Sequence, residues 1–121
     1  MALNVDISRT DDIVVVQCHG RIVFGEEAEE LRRLILGLLN ESKRIVLNLA
    51  WIVYIDSSGL DTLVASFISA RHRRGEIKFA ALSPAVRRVL TSTNVDRLFE
   101  FYDSTEEAVK SFHARPEAAA G

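Results

Sequence analysis

The chain has 121 residues, 48% of them hydrophobic and 26% charged, with a formal net charge of -2. That suffices for one soluble domain with a single core, and the slight acidic balance gives no pull toward nucleic acid or an anionic membrane surface. No apolar run approaches the ~20 residues of a membrane span.

Leu3, Val5 and Ile7 alternate with polar residues and predict a short, half-buried strand. Thr10-Asp11-Asp12 is a turn, and Ile13 to Val16 opens a second strand ending at Gly20, so the two can pair as a hairpin. Cys18, the one cysteine, lies in that strand. It has no partner for an internal disulfide, and a buried, inert thiol in a reducing compartment is the expectation. A loop from Arg21 to Gly25 leads to a helix over about Glu26 to Leu39, with Ala28, Leu31, Leu34, Ile35 and Leu38 as its apolar stripe. Glu26, Glu27, Glu29 and Glu30 crowd its first half, where the helix dipole favours negative charge, and Glu29 stands i,i+4 to Arg33 in the favourable order.

Arg44 to Leu49 is dense in apolar residues, as expected of a strand covered on both faces. After a connection over Trp51 to Asp56, a second helix carries Leu60, Leu63, Val64, Phe67 and Ile68 on one side. Arg71, His72, Arg73 and Arg74 complement its C-terminal dipole end, and Gly75 is the expected left-handed cap. Ile77 to Leu82 reads as a buried strand. Ser83-Pro84 then starts a helix, a capping hydroxyl followed by proline at the first helical position, with Val86, Val89 and Leu90 inward until about Asn94. Leu98 to Tyr102 is a last short strand. Ser104 and Glu107 form a capping box for a final helix that turns Ala108, Val109 and Phe112 inward.

The order is β-β-α-β-α-β-α-β-α, an α/β domain with a mixed, mainly parallel sheet and an antiparallel N-terminal hairpin. Residues 1–113 form the domain, and 114–121, with Pro116 and three alanines, are expected to be a flexible tail. Met1 to Asp6 lacks the regions of a signal peptide, so the cytoplasm is the expected location, without direct membrane insertion.

Little catalytic chemistry can be assembled from these residues. His19, His72 and His113 lie on three different elements without metal-ligand spacing, and one cysteine cannot build a zinc site. There is no Gly-x-Ser-x-Gly elbow, no Gly-x-Gly-x-x-Gly and no Walker loop. The expectation is a binding protein rather than an enzyme, with no catalytic residue, cofactor or metal, and no nucleic-acid partner. The stretch that stands out is Ile55-Asp56-Ser57-Ser58-Gly59-Leu60, where the second helix should begin. Asp56 and the serines there can cap orphan backbone N–H groups, or one hydroxyl can be a regulatory switch.

Ile45-Val46-Leu47-Asn48-Leu49, then Tyr54-Ile55-Asp56-Ser57-Ser58-Gly59-Leu60, resembles the STAS family and, within it, the bacterial anti-sigma-factor antagonists. The likeness continues through Ala80–Leu90 and Phe101–Ala108. It implies a protein that binds an anti-sigma factor which is also a serine kinase, and so frees the sigma factor. The kinase phosphorylates the serine directly after the aspartate, here Ser57, and the modified antagonist lets go; a serine phosphatase resets it. Asp56, Ser58, Gly59, Asp61, Val23 and Phe24 then form the switch neighbourhood and partner face.

Two positions depart from the pattern. Val23 stands where an aspartate is usual in a Gly-x-Leu-Asp-like segment, and Asp61 stands where glycine or another small residue is usual. Asp61 is i+4 from Ser57 and should oppose a phosphate modestly. Val23 and Phe24 are either an apolar contact patch or loop residues covering the core. The alternative within the same family is a docking module in a signalling scaffold or a lipid-transporter complex, with Ser57 merely a cap. A nucleotide or small metabolite near the turn would have only the helix N-terminus to hold it.

Overall fold

The computed structural model describes residues 3–113; the expected tail, 114–121, lies outside the described residues. The elements are β1 (Leu3–Thr10), β2 (Ile13–Ile22), α1 (Glu26–Leu39), β3 (Arg44–Ile55), α2 (Ser57–His72), β4 (Glu76–Ala80), α3 (Pro84–Ser92), a 3-10 turn (Val95–Leu98), β5 (Phe101–Tyr102) and α4 (Thr105–His113). The sheet runs β1-β2-β3-β4-β5 in chain order. β1 pairs antiparallel with β2 around Asp11-Asp12, and every later pairing is parallel. The α/β class, the element order and the antiparallel hairpin therefore match the sequence expectation.

Alternation along the first halves of β2 and β3 divides the core. Val14, Val16, Cys18, Ile45, Leu47 and Leu49 face one way and meet α1, α2 and α3 through Leu31, Ile35, Leu63 and Val86. Ile13, Val15, Val46 and Ala80 face the other way, under Ala108 and Phe112 of α4. Burial pushes the Cys18 thiol up to about 12, so it stays protonated and unreactive. Lys78 is the notable charge inside: its side chain is fully buried under α4. Its Nζ donates to Ser111 Oγ at 2.5 Å and to the Tyr102 hydroxyl at 3.4 Å, and lies 3.7 Å from Glu100 Oε1 and 4.4 Å from the centre of the Phe112 ring. An ammonium removed from water needs such partners, and most of them come from β5 and α4, so the charge ties the C-terminal elements to the sheet.

Several boundaries differ from expectation, each for a tertiary reason. β2 does not stop at Gly20, nor β3 at Leu49: Arg21 pairs with Tyr54 and Ile22 with Ile55, with register shifts at Gln17/His19 and Gly20/Arg21 that let the two strands stay together to their ends. On α2, Ile68 is exposed, and Leu60, Leu63, Ser66 and Ala70 face inward with Thr62; the Ser66 hydroxyl satisfies itself on the Thr62 carbonyl at 2.7 Å. The left-handed residue after α2 is Arg74, at φ 63°, and not Gly75. Gly75 is needed for another reason: a Cβ there would lie 2.9 Å from the Lys43 carbonyl oxygen. β4 ends at Ala80, α3 at Ser92, and the last strand is only Phe101–Tyr102, because Val95–Leu98 coils into the 3-10 turn with Leu98 outward. Arg71, His72, Arg73 and Arg74 are exposed at the end of α2, and Arg73 donates to the Leu36 carbonyl of α1 at 3.3 Å.

Both capping motifs form. Ser83 Oγ accepts from the Val86 N–H at 3.2 Å, and Ser104 Oγ from the Glu107 N–H at 3.1 Å. Glu107 reaches back to the N–H of Asp103, one residue before the cap, at 3.3 Å.

Candidate functional site at the head of α2

β3 delivers the chain to the edge of the molecule at Ile55, and α2 starts two residues later. Asp56, in extended conformation, is the N-cap. Its Oδ1 accepts from the Gly59 N–H at 2.9 Å, and its Oδ2 accepts from the Phe24 N–H at 3.0 Å. One carboxylate thus closes the first turn of α2 and pins the segment that follows β2. Burial pushes the Asp56 carboxyl up, but the N–H bonds from Phe24, Gly59 and Ser58 outweigh it and hold the group below its ordinary value.

Because Asp56 does the capping, Ser57 is free of that duty. It is the first residue of α2 and is exposed, while Ser58 is half-buried. The hydroxyl therefore stands at the positive end of a 16-residue helix, where backbone N–H groups favour an anion.

Gly59 is buried and cannot be replaced quietly. A Cβ there would lie 2.1 Å from the Ile22 carbonyl oxygen and 2.8 Å from Ile55 Cγ1, so the first turn of α2 presses directly on the end of β2. The segment after β2 splits in two. Val23 is half-buried, and its carbonyl accepts from the Ala28 N–H at 3.2 Å, whereas Phe24 is 78% exposed. Asp61 is exposed on α2. With Ser58, Thr62, Phe24, Glu26, Glu29 and Arg33 it lines a groove of about 560 Å³ between α1 and α2; Glu29 and Arg33 form the expected pair at 3.8 Å.

Of the six predicted neighbours of Ser57, Asp56, Ser58, Gly59 and Asp61 lie at the head of α2, and Val23 and Phe24 lie in the segment between β2 and α1 that Asp56 holds through the Phe24 N–H. The sequence reading missed the Asp56–Phe24 bond, which joins residues far apart in the chain. It also missed Trp51, Val53 and Tyr54, which are exposed on the extended end of β3. The β-branched and aromatic content of Trp51–Ile55 was the available signal that the strand continues.

Replacing Asp56 with alanine is expected to cost about 1–3 kcal/mol, the ordinary loss of a cap plus the stranded Phe24 N–H. The sign with pH follows from the depressed carboxyl. Its contribution is full above the unfolded value of about 3.9 and fades as pH falls through the lower folded value. Urea unfolding of the wild type and of Asp56→Ala should give a gap that is full at neutral pH and narrows in acid. A constant gap would remove the ionised carboxylate as its cause.

Among the described residues no group of three or more His, Cys, Asp and Glu could hold a metal ion, and no helix is long and apolar enough to cross a membrane. Comparison with known proteins places this geometry in context. A family model described as STAS domain matches residues 4–108. A protein of Bordetella bronchiseptica named as an anti-sigma factor antagonist, BtrV, is 28% identical over 102 residues, covering 84% of this chain and 88% of that protein. The crystal structure of a Thermotoga maritima protein described as an anti-sigma factor antagonist superposes with a TM-score of 0.80 at 27% identity, over 88% of this chain and 92% of that one. SpoIIAA of Bacillus shares the fold at 19% identity, both unphosphorylated (TM-score 0.77, 91% of this chain and 96% of that one) and phosphorylated (0.71, 90% and 99%).

Proposed function

This chain belongs to the STAS domain family, and on that premise we propose that it is a cytoplasmic anti-sigma-factor antagonist, switched off by phosphorylation of Ser57. It binds an anti-sigma factor that is also a serine kinase, and thereby releases the sigma factor to direct transcription. Phosphorylation by that kinase ends the contact, and a serine phosphatase restores it.

The observation that carries the reading is the division of labour at the head of α2, where Asp56 caps the helix and leaves Ser57 exposed at its first position. A phosphate there adds roughly -1.5 to -2 charges. The helix end accommodates them, so the fold persists in both states. A partner covering the same spot must strip water from the dianion, which costs binding without any refolding. The likeness in sequence and fold to proteins named as anti-sigma factor antagonists supports the same reading.

Incubation with the cognate kinase and ATP, followed by mass-spectrometric mapping, is expected to find the phosphate on Ser57 and not on the half-buried Ser58. Ser57→Ala should abolish incorporation. An unmodified Ser57 beside a working kinase control would end the mechanism.

A further inference from the structure

The two edges of the sheet are unlike. β5 is two residues long, whereas β1 runs for eight and pairs with β2 alone. On its outer side a row of backbone N–H and C=O groups is left to water, the arrangement that recruits another strand. The usual protections are missing. β1 contains no proline, and it faces β2 in one unbroken register from Leu3 and Gly20 to Thr10 and Ile13, with no bulge to twist it away. Its two charges lean back over their own sheet. Arg9 donates to both carboxylate oxygens of Glu41, and Asp6 Oδ2 lies 3.3 Å from His19 Nε2 of β2. Ile7, between them, is 36% exposed.

The side chains of this edge complement a second copy of themselves. On the α1 side, Leu3 and Val5 line a groove of about 180 Å³ with Glu30, Leu31 and Leu34, and Ile7 and Arg9 follow on the same face. Ser8 and Thr10 lie on the α4 side, with Asn4 and Asp6 in phase. Two copies of β1 related by a two-fold axis run antiparallel, and residues directly opposite share a face. The axis must then pass through a residue that meets its own image. Centring on Asp6 sets two carboxylates against each other. Centring on Val5 or on Ser8 pairs only residues 3–7 or 6–10. Centring on Ile7 puts Val5 opposite Arg9, Asp6 opposite Ser8 and Asn4 opposite Thr10. No like charges meet, an apolar pair sits on the axis, and Arg9 of each copy arrives at Val5 of the other, where Glu30 lines the groove.

We propose that the protein forms a two-fold dimer through β1, centred on Ile7, which joins two five-stranded sheets into one. β1 lies across β2 from β3, so both copies of Ser57 stay open, at opposite ends of the joined sheet. The proposal stands apart from the phosphorylation switch and holds or fails without it.

The test begins with sedimentation of the full chain over a concentration series, which should show a reversible dimer. Ile7→Lys should raise its dissociation constant about tenfold or more, because two cations then meet on the axis. Arg9→Glu should weaken the dimer too, and adding Glu30→Arg should restore it. Cross-linking reads the register even if Ile7→Lys fails to fold. Directly opposite Cα atoms stand about 4.5–5.5 Å apart, within disulfide reach, so Ile7→Cys should link two chains under mild oxidation. Val5→Cys alone should not, whereas a mixture of Val5→Cys and Arg9→Cys chains should; Cys18 is buried and takes no part. A wild type that stays monomeric at every concentration would overturn the proposal. So would a dimer that Val53→Glu dissociates and Ile7→Lys does not, or a link through Val5→Cys with none through Ile7→Cys.

Discussion

Ser57→Asp is expected to weaken binding to the anti-sigma factor by about 100-fold or more, with Ser57→Ala within about threefold of wild type. Stability should move the other way. An acidic residue in the first turn of a helix is favourable by about 0.3–1 kcal/mol, so the aspartate variant should melt no lower than wild type. Alanine at this position removes no cap, since the capping acceptor is Asp56. A binding loss with stability kept or raised can only come from the contact itself.

The expected size follows from what the switch must do. Reversing occupancy from 99:1 to 1:99 requires roughly a 10⁴-fold change in affinity, about 5.5 kcal/mol. Aspartate carries about half the charge of a phosphate, so the substitution should achieve only part of that and the phosphorylated protein more. Exposed Asp61, one helical turn along from Ser57, adds like-charge repulsion of a few tenths of a kcal/mol, on the order of an i,i+4 pair. Isothermal titration with the three proteins, alongside thermal unfolding of each, reads both quantities. Equal affinities for Ser57→Asp and Ser57→Ala would sink the electrostatic switch.

The second large effect concerns Gly59. Helix propensity alone says that alanine should stabilise α2 there by about 0.8–1 kcal/mol. The packing says the opposite, and packing should win. A methyl group 2.1 Å from the Ile22 carbonyl oxygen is more than an ångström inside contact distance, and that oxygen belongs to the backbone. It also accepts from the Asp56 N–H at 3.4 Å, and Ile22 pairs with Ile55, so relief requires moving the ends of two strands and the cap together. Gly59→Ala is expected to destabilise by about 2–4 kcal/mol, toward the upper range of overpacking, and to loosen the setting of Ser57.

Gly37 supplies the internal control. It lies in α1, and a Cβ there would meet nothing within 4 Å. Gly37→Ala should therefore follow propensity and stabilise by about 0.5–1 kcal/mol. Urea unfolding of both variants gives opposite signs for the same chemical change. If Gly59→Ala were neutral, the close approach of α2 to β2 would be wrong.

What the chain alone determined is whatever depends on neighbours in sequence. The order of strands and helices follows from apolar spacing, and α1 runs from Glu26 to Leu39 as its stripe predicts. The Ser83 and Ser104 caps form because a hydroxyl and the N–H three residues on are brought together by one turn of helix. Asp56-Ser57-Ser58-Gly59 announced a helix start, and the helix starts there. Long-range pairing decided the rest. β3 continues to Ile55 because β2 accompanies it through two register shifts, and no local pattern encodes a partner strand's bulges. Ser66 and Ala70 face the core in place of Ile68, and Lys78 is buried, because the surfaces that α2 and α4 meet select the inner residues. Above all, tertiary structure fixed how the site is assembled. The carboxylate of Asp56 closes α2 and holds Phe24 from another element, which leaves Ser57 free; two oxygens on one side chain can do both only when β2 and β3 end side by side.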